Sequence, residues 1–206
     1  MHIIQFTDDI NKYLENDNVI DYENENIQNL ADTLYQKSND EVSFIKSAYE
    51  YVRDNISYSA DIDNDKITCS ASEVLKEGHG ICFSKSHLMA ALLRAKSIPA
   101  GFCYQKLTFD INKTSELVYH GLNGVYIKKY KKWIRLDARG NKDGIDAQFS
   151  LDSEQLAYSI NTEIGERDGV IVYPAPDKNI IENLKINKTR TKLFNNLPKE
   201  LAYENK

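Results

Sequence analysis

The sequence predicts a mixed α+β fold, with helices set against an antiparallel sheet. Three observations predict it. The run Glu77-Gly78-His79-Gly80-Ile81-Cys82-Phe83 places two glycines before a long helix-forming stretch, so a tight loop should deliver a thiol to the first turn of a helix. Residues 118–127 and 132–139 are short, rich in aromatic and β-branched residues, and separated by the basic run Lys128-Lys129-Tyr130-Lys131, which signals a hairpin. Apolar residues recur at helical spacing early in the chain, and helix-start signals recur late, so extra helices are expected at both ends.

Taken in order, residues 1–25 are acidic and Asn-rich, with a short helix expected over 8–15. Ile27, Leu30, Ala31 and Leu34 recur at helical spacing, so 26–37 reads as an amphipathic helix. Ser38-Asn39-Asp40-Glu41 matches a capping box and opens a second helix, with Val42, Ile45, Ala48, Tyr49 and Val52 as its apolar stripe and an end near Asn55. Ile56-Ser57-Tyr58 reads as extended. Asp61-Ile62-Asp63-Asn64-Asp65-Lys66 is a polar loop. It lacks the glycine and the closing glutamate of an EF-hand, so calcium binding is not expected there. Ser70-Ala71-Ser72-Glu73 is another capping box and starts a short helix that Gly78 closes. The helix opening at Cys82 should run to about Lys96, with Leu88, Leu92 and Ala95 on its inner face, and Pro99 stops it.

A strand near 101–106, a polar loop over 110–115 and the hairpin follow. Residues 139–168 are rich in Gly, Asp and Asn and read as irregular. Gly169-Val170-Ile171-Val172-Tyr173 is a strand candidate, and Pro174-Ala175-Pro176 punctuates. Asp177 should cap a helix through about Asn187, with another over 189–195. No internal repeat is visible. The 206 residues fit one domain, 1–206, with a core at about 40–150.

Composition bounds the function. The net charge is −5 and no basic face is evident, so nucleic acid is not expected as a partner. The N-terminus has no basic region followed by a long apolar stretch, so no signal peptide is expected. No apolar run approaches the ~18 residues of a membrane span. The three cysteines lack a Cys-x-x-Cys pair and do not make a disulfide framework, which fits a reduced, cytoplasmic protein. The cysteines and histidines show no zinc-ligand spacing, and no cofactor is expected.

Cys82 stands where a nucleophile should. The first turn of a helix carries unsatisfied N–H groups and the positive dipole end, which lowers the pKa of a thiol placed there. Cys69 and Cys103 lack such a context and read as structural. A turn centred on Lys128 and Lys129 would set His120 directly opposite Asp137, side chains on one face and Cβ atoms roughly 4.5–5.5 Å apart. The carboxylate could then fix the imidazole tautomer and stabilise its charged form. His79, in the loop beside the thiol, is a rival base that could line the cleft. His87 lies on the thiol's own helix but points away from it. Each has a plainer reading: a buried small hydrophobe for Cys82, a core histidine for His120, a surface aspartate for Asp137.

The order Cys82, His120, Asp137 resembles the transglutaminase-like superfamily of papain-type thiol enzymes. The matching stretches are Gly80-Ile81-Cys82, the helix from Leu88 through Ala95 to the Ser97-Ile98-Pro99-Ala100 turn, the His120 strand, and Trp133-Ile134-Arg135-Leu136-Asp137. The chain departs from the family's usual pattern at Gly121, at Ala138 where Pro is frequent, and at Ser97 where Gly is frequent. The resemblance covers about residues 45–140. It implies a papain/transglutaminase-like core, with the nucleophile helix packed on an antiparallel sheet and a cleft between them. It also implies Cys82, His120 and Asp137 as catalytic residues. The Cys82 backbone N–H is one natural oxyanion donor. Tyr58, after an extended Ile-Ser step as in family tyrosines, is the candidate for a second, with packing an equal reading.

The implied chemistry is acyl transfer from a carboxamide or peptide bond through a thioester on Cys82. Hydrolysis, as in a cysteine protease, amidase or deamidase, is favoured by the small size of the chain and its lack of a recognisable pro-segment. A protein-glutamine transglutaminase shares the same residues. A non-catalytic peptide- or protein-binding module and a small-molecule N-acyltransferase are the further alternatives. The expected partner is a peptide or protein substrate presenting a carboxamide. Contacts to it are expected from 61–68, 110–116 and 139–152.

Overall fold

Every residue of the helix that begins at Cys82 is buried, and the rest of the chain is arranged around it. The computed structural model describes residues 3–111 and 114–205; Asn112 and Lys113, in the polar loop expected over 110–115, lie outside the described residues. In chain order the elements are β1 (Ile4–Gln5), α1 (Glu25–Gln36), α2 (Glu41–Asn55), β2 (Ser57–Tyr58), α3 (Ala71–Glu77), β3 (His79–Gly80), α4 (Cys82–Arg94), β4 (Ala100–Ile111), β5 (Thr114–Ile127), β6 (Lys132–Leu136), β7 (Arg167–Asp168), β8 (Ile171–Val172), α5 (Lys178–Ile186) and α6 (Arg190–Asn195). The fold is mixed α+β, as the sequence predicts. Its main sheet is antiparallel, in the order β6-β5-β4-β7.

The helical layer forms for the reasons the sequence gives, with two shifts. Ile27 and Ala31 of α1 are buried, as the apolar stripe requires. The cap of α2 is Asp40 rather than Ser38: Asp40 Oδ1 accepts from Ser43 N at 2.8 Å and Ser43 Oγ accepts from Asp40 N at 2.9 Å. Aspartate is at least as good a cap as serine and sits one residue before the helix. Ser70 caps α3, and Gly78 ends it at φ +70°, the left-handed conformation glycine tolerates. The short helix expected over 8–15 is a 3-10 turn, Ile10–Leu14, capped by Asp9.

The second shift concerns α4, which has no inner and outer face. Ser84, Lys85, Ser86, His87 and Arg94 are as buried as Leu88 and Leu92. α4 is the element against which α1, α2, α3, β4 and β5 all pack, so its polar side chains are satisfied internally rather than by water. Thr68 Oγ1 meets Ser84 Oγ at 3.1 Å, and His87 Nδ1 meets the Cys69 carbonyl at 2.7 Å. Asn123 Nδ2 on β5 donates to Ser86 O at 3.0 Å and to Gly101 O at 3.1 Å, pinning the first turns of α4 to the sheet.

β4 runs to Ile111, longer than the strand expected near 101–106, because it pairs along its whole length with β5. The β5–β6 register is two residues away from the one expected. Tyr126 pairs with Trp133 and Asn123 with Leu136. The turn takes up a 3-10 segment, Lys128–Tyr130, and then Lys131 in the left-handed region at φ 50°, so it is longer than a tight turn centred on Lys128 and Lys129. At the chain ends, β1 pairs in parallel with β8. α5 and α6 send Ile180, Leu184 and Leu193 into the core that α4 occupies.

Candidate active site

The site is built where the start of α4 meets the sheet. Cys82 is the first residue of α4, and Ile81 at the N-cap offers no side-chain acceptor to the first-turn N–H groups. Gly80 precedes it in β3, which pairs in parallel with β2 so that Tyr58 lies beside Gly80. A Cβ at Gly80 would sit 2.6 Å from Ser84 Oγ, so this loop closes tightly onto α4 only with glycine there.

His120 comes from β5 and Asp137 from the residue just past β6. His120 Nε2 and Asp137 Oδ2 are 2.8 Å apart, although the two residues are not cross-strand partners. With the observed register, His120 would face Arg139 if the ladder continued, and Asp137 is its diagonal neighbour. A two-residue shift preserves which side chains share a face, whereas a one-residue shift would have sent them to opposite faces. Asp137 Oδ2 also accepts from Ala157 N, and Oδ1 from Arg139 N, each at 3.1 Å. Asp137 is thus fully hydrogen-bonded and oriented.

With Nε2 engaged by Asp137, the free nitrogen of His120 is Nδ1. The Cys82 thiol lines the same cavity as the imidazole and acts on its charge. Burial disfavours a charged His120, but the charges of Asp137 and Cys82 and their hydrogen bonds outweigh it and hold the imidazole well above its ordinary 6.5. Burial also opposes ionisation of Asp137, and the His120 charge together with the hydrogen bonds it accepts brings its pKa below the usual value.

Cys82, His120 and Tyr58 line one cavity of about 270 Å³. The Tyr58 ring lies under the Arg139 guanidinium, 3.9 Å from its centroid, so Tyr58 is placed both to pack and to face the thiol. Burial raises its hydroxyl pKa well above 10, which keeps it a proton-bearing donor. Arg139 is clamped by Asp61 (Nη1 to Oδ2 at 2.5 Å) and donates from Nε to Tyr158 Oη at 3.1 Å. Tyr158 in turn meets the His120 ring edge-on at 4.9 Å. Tyr158 and Arg139 are site residues that the sequence did not single out. They lie in or beside the irregular 139–168 stretch, where no periodicity marks them.

The rival groups sit elsewhere. His79 Nδ1 meets Ser59 Oγ at 2.9 Å, and it is not among the described residues lining the cavity. His87 is lowered to about 4 by burial and packs on Phe102. Burial pushes the Cys69 thiol up to about 11 and the Cys103 thiol up to about 12.

The segments expected to contact substrate divide. Of residues 61–68, none lines the cavity among the described residues, and Asp61 instead pairs with Arg139 and Lys142. Gly144 from 139–152 does line it, and much of 110–116 lies outside the described side chains. Other walls include Leu107–Phe109, Ala157–Ser159 and the C-terminal Phe194 and Leu197. Among the described residues, no group of three or more His, Cys, Asp and Glu could hold a metal ion, and no helix is long and apolar enough to cross a membrane.

Fold and site together define an α+β protein of the transglutaminase-like class. The chain belongs to the transglutaminase-like superfamily, whose family model matches residues 28–138. Among solved structures it is similar to a "Putative Cysteine Protease" from Cytophaga hutchinsonii, with 26% identity and a TM-score of 0.52 over 65% of this chain and 43% of that one. A "putative protease" from Parabacteroides distasonis matches at 14% identity and TM-score 0.40, over 64% of this chain and 28% of its own. The periplasmic domain of TgpA from Pseudomonas aeruginosa matches at 17% and 0.45, over 61% and 45%. The match thus spans less than half the length of each of these structures. No curated protein sequence matches the chain.

Proposed function

We propose that the chain is a thiol-dependent acyl-transfer enzyme that hydrolyses a carboxamide or peptide bond through a thioester on Cys82. The observation that carries this reading is the single cavity in which Cys82 meets His120, itself bound to Asp137 at 2.8 Å. Because His120 is held well above its ordinary pKa, it already carries the thiol proton on Nδ1 when Sγ bonds to the carbonyl carbon. The Cys82 backbone N–H and the Tyr58 hydroxyl receive the developing oxyanion. The C–N bond then breaks and His120 returns its proton to the departing amine. Water attacks the thioester, His120 takes its proton, and the acid and the thiol are released.

Hydrolysis is favoured over transfer to a lysine amine by the cavity's charge. Among the described lining residues Glu166 is the one carboxylate, and both its oxygens are committed, Oε1 accepting from Thr108 N and Oε2 from Asn161 N, each at 2.8 Å. No second carboxylate stands in that lining to pair with an ammonium. The substrate is accordingly a peptide or protein presenting a carboxamide. Residues 1–206 act as one unit, since core residues from both ends join the core around α4. The free state of Cys69, Cys82 and Cys103 fits a reducing compartment such as the cytoplasm.

The test is mass spectrometry of peptides containing Gln after exposure to wild type and to Cys82→Ala, with and without an added amine. Cleavage or a +1 Da deamidated product, absent with Cys82→Ala, is expected. Amine incorporation in place of hydrolysis would make the protein a transglutaminase. If iodoacetamide labels Cys82 no faster than Cys103, and no product forms, the enzyme reading fails in favour of a binding module.

A further inference from the structure

One half of the cavity is the reacting centre; the other half is apolar. Leu107 and Phe109 from β4, Val118 from β5, Phe194 from α6 and Leu197 just beyond it form its wall. Phe109 and Phe194 meet edge-on at 5.9 Å. Two polar groups of the same lining, Glu166 and Tyr119, are already satisfied. Glu166 is engaged as described above, and Tyr119 Oη donates to Glu204, 2.8 Å from Oε1 and 2.7 Å from Oε2.

The wall is held in place from behind. Arg190 at the start of α6 pairs with Asp63 at 2.6 Å, and Thr191 N donates to Asp65 Oδ1 at 3.1 Å. The acidic loop 61–66 therefore anchors the helix that carries Phe194. Leu193, one residue before it, is buried in the main core. A volume of about 270 Å³ lies just below the usual range of pockets for drug-sized ligands, about 300–1,000 Å³. Because that volume includes the reacting centre, the apolar half has room for no more than one large side chain.

We propose that this half is a specificity subsite that selects acyl donors carrying a bulky apolar residue, aromatic or branched aliphatic, beside the reacting carbonyl, and that Phe194 and Leu197 complete it. The inference rests on the acyl-transfer reading above and gives it a substrate class. Phe194 and Leu197 fall outside the matched residues 28–138, whereas Leu107, Phe109 and Val118 fall within them, so the C-terminal segment completes a wall that the family core begins. An acidic side chain there would lose its hydration beside the Glu166 carboxylate, and a basic one would lose its hydration against a carboxylate already engaged by two backbone N–H groups, so the subsite discriminates by exclusion as well as by contact.

The test uses p-nitrophenyl esters of N-benzyloxycarbonyl-Phe, -Leu, -Ala, -Glu and -Lys. Cys82 Sγ bonds to the ester carbonyl carbon, the C–O bond breaks to release nitrophenolate, and water then cleaves the thioester to free the acid. The Phe and Leu esters should react roughly 10–100-fold faster than the Ala ester, the range one or a few buried carbons provide, and the Glu and Lys esters slowest. Phe194→Ala should narrow the Phe-to-Ala ratio about tenfold. Leu197→Asp, on the segment after α6, should reverse the order of the Phe and Lys esters. Thermal melting shows that each variant is folded. Equal Cys82-dependent rates across the esters, or a ratio that neither variant moves, overturn the subsite while leaving acyl transfer intact. Nitrophenolate release no faster than with Cys82→Ala for every ester overturns the acyl-transfer reading, and the subsite with it.

Discussion

His120 and Asp137 show how far single residues can be read. Their pairing is visible in the sequence as two residues at mirrored distances from a turn, and it survives an error in that turn because parity, not register, sets which face a side chain occupies. The consequence belongs to these two side chains. Asp137→Asn keeps the shape and removes the charge that counteracts the burial of His120. The imidazole pKa, followed by NMR, should fall from its raised value. Turnover of whichever substrate wild type accepts should fall about 10³–10⁴-fold, as when the orienting acid of such an arrangement is neutralised. An unchanged imidazole titration would exclude Asp137 from the role proposed for it. The same pair makes stability depend on pH with a definite sign. Because His120 is raised above 6.5, its contribution is fully present below 6.5 and is lost as pH rises through the raised value. Tyr158 and Arg139 were not legible: one is an aromatic and the other a cation in irregular chain, and only the folded structure sets them against His120 and Tyr58.

At the scale of elements, helix starts were legible and helix environments were not. Ser70, Asp177 and Thr189 cap α3, α5 and α6, because capping is a local exchange between a side chain and the next turn. The burial of α4 on all sides is a property of what surrounds it. Lys85 is the clearest case. It lies three residues past Cys82 and is fully buried. Its Nζ donates to Ile56 O and, at 3.4 Å, to Arg53 O, so it serves the C-terminal carbonyls of α2. Burial, and then the charge of Arg139, lower its ammonium to about 7, against the pull of Asp137, Asp54 and Asp61. Between about 7 and the ordinary ~10.4 of a free lysine the unfolded chain binds the extra proton. This group therefore makes stability rise with pH across that window, by up to about 1.4 kcal/mol per pH unit, and its penalty is full below 7. Lys85→Met should melt higher relative to wild type at pH 6.5 than at pH 9.5. A gap that stays constant between the two would mean that Lys85 does not titrate in that window. Gly121 is an element-scale feature of the same kind. A Cβ there would lie 2.6 Å from Phe83 Cδ1, so the residue after His120 is small because α4 crosses β5 closely at that point.

At the scale of the whole molecule, Arg94 ties the two ends of the chain to its centre. At the last residue of α4 it donates from Nη1 to Glu15 O at 2.6 Å, from Nε and Nη2 to Ala100 O at 3.1 and 2.7 Å, and from Nη2 to Pro174 O at 2.6 Å. Arg94→Met leaves three carbonyls from distant segments without this donor and should lower the unfolding free energy by about 2–4 kcal/mol, read as a lower urea midpoint at unchanged m. A midpoint within experimental error of wild type would show that the ends dock without it. The sequence by itself determined the α+β class, the capped helices, the hairpin and the pairing of Cys82 with His120 and Asp137, because each of these is written in local chemistry, in periodicity or in the order of a few spaced blocks. Only the tertiary structure decided the register of that hairpin, the burial of Lys85 and Arg94, the Arg139–Tyr158 contact behind His120 and the C-terminal wall of the cavity. Apart from the register, which the 3-10 turn sets, these depend on which surfaces meet between segments apart in the chain, 19 residues for Arg139 and Tyr158 and 80 for Arg94 and Pro174. Contacts at that range are fixed by packing and by the satisfaction of buried polar groups, and neither leaves a local pattern to read.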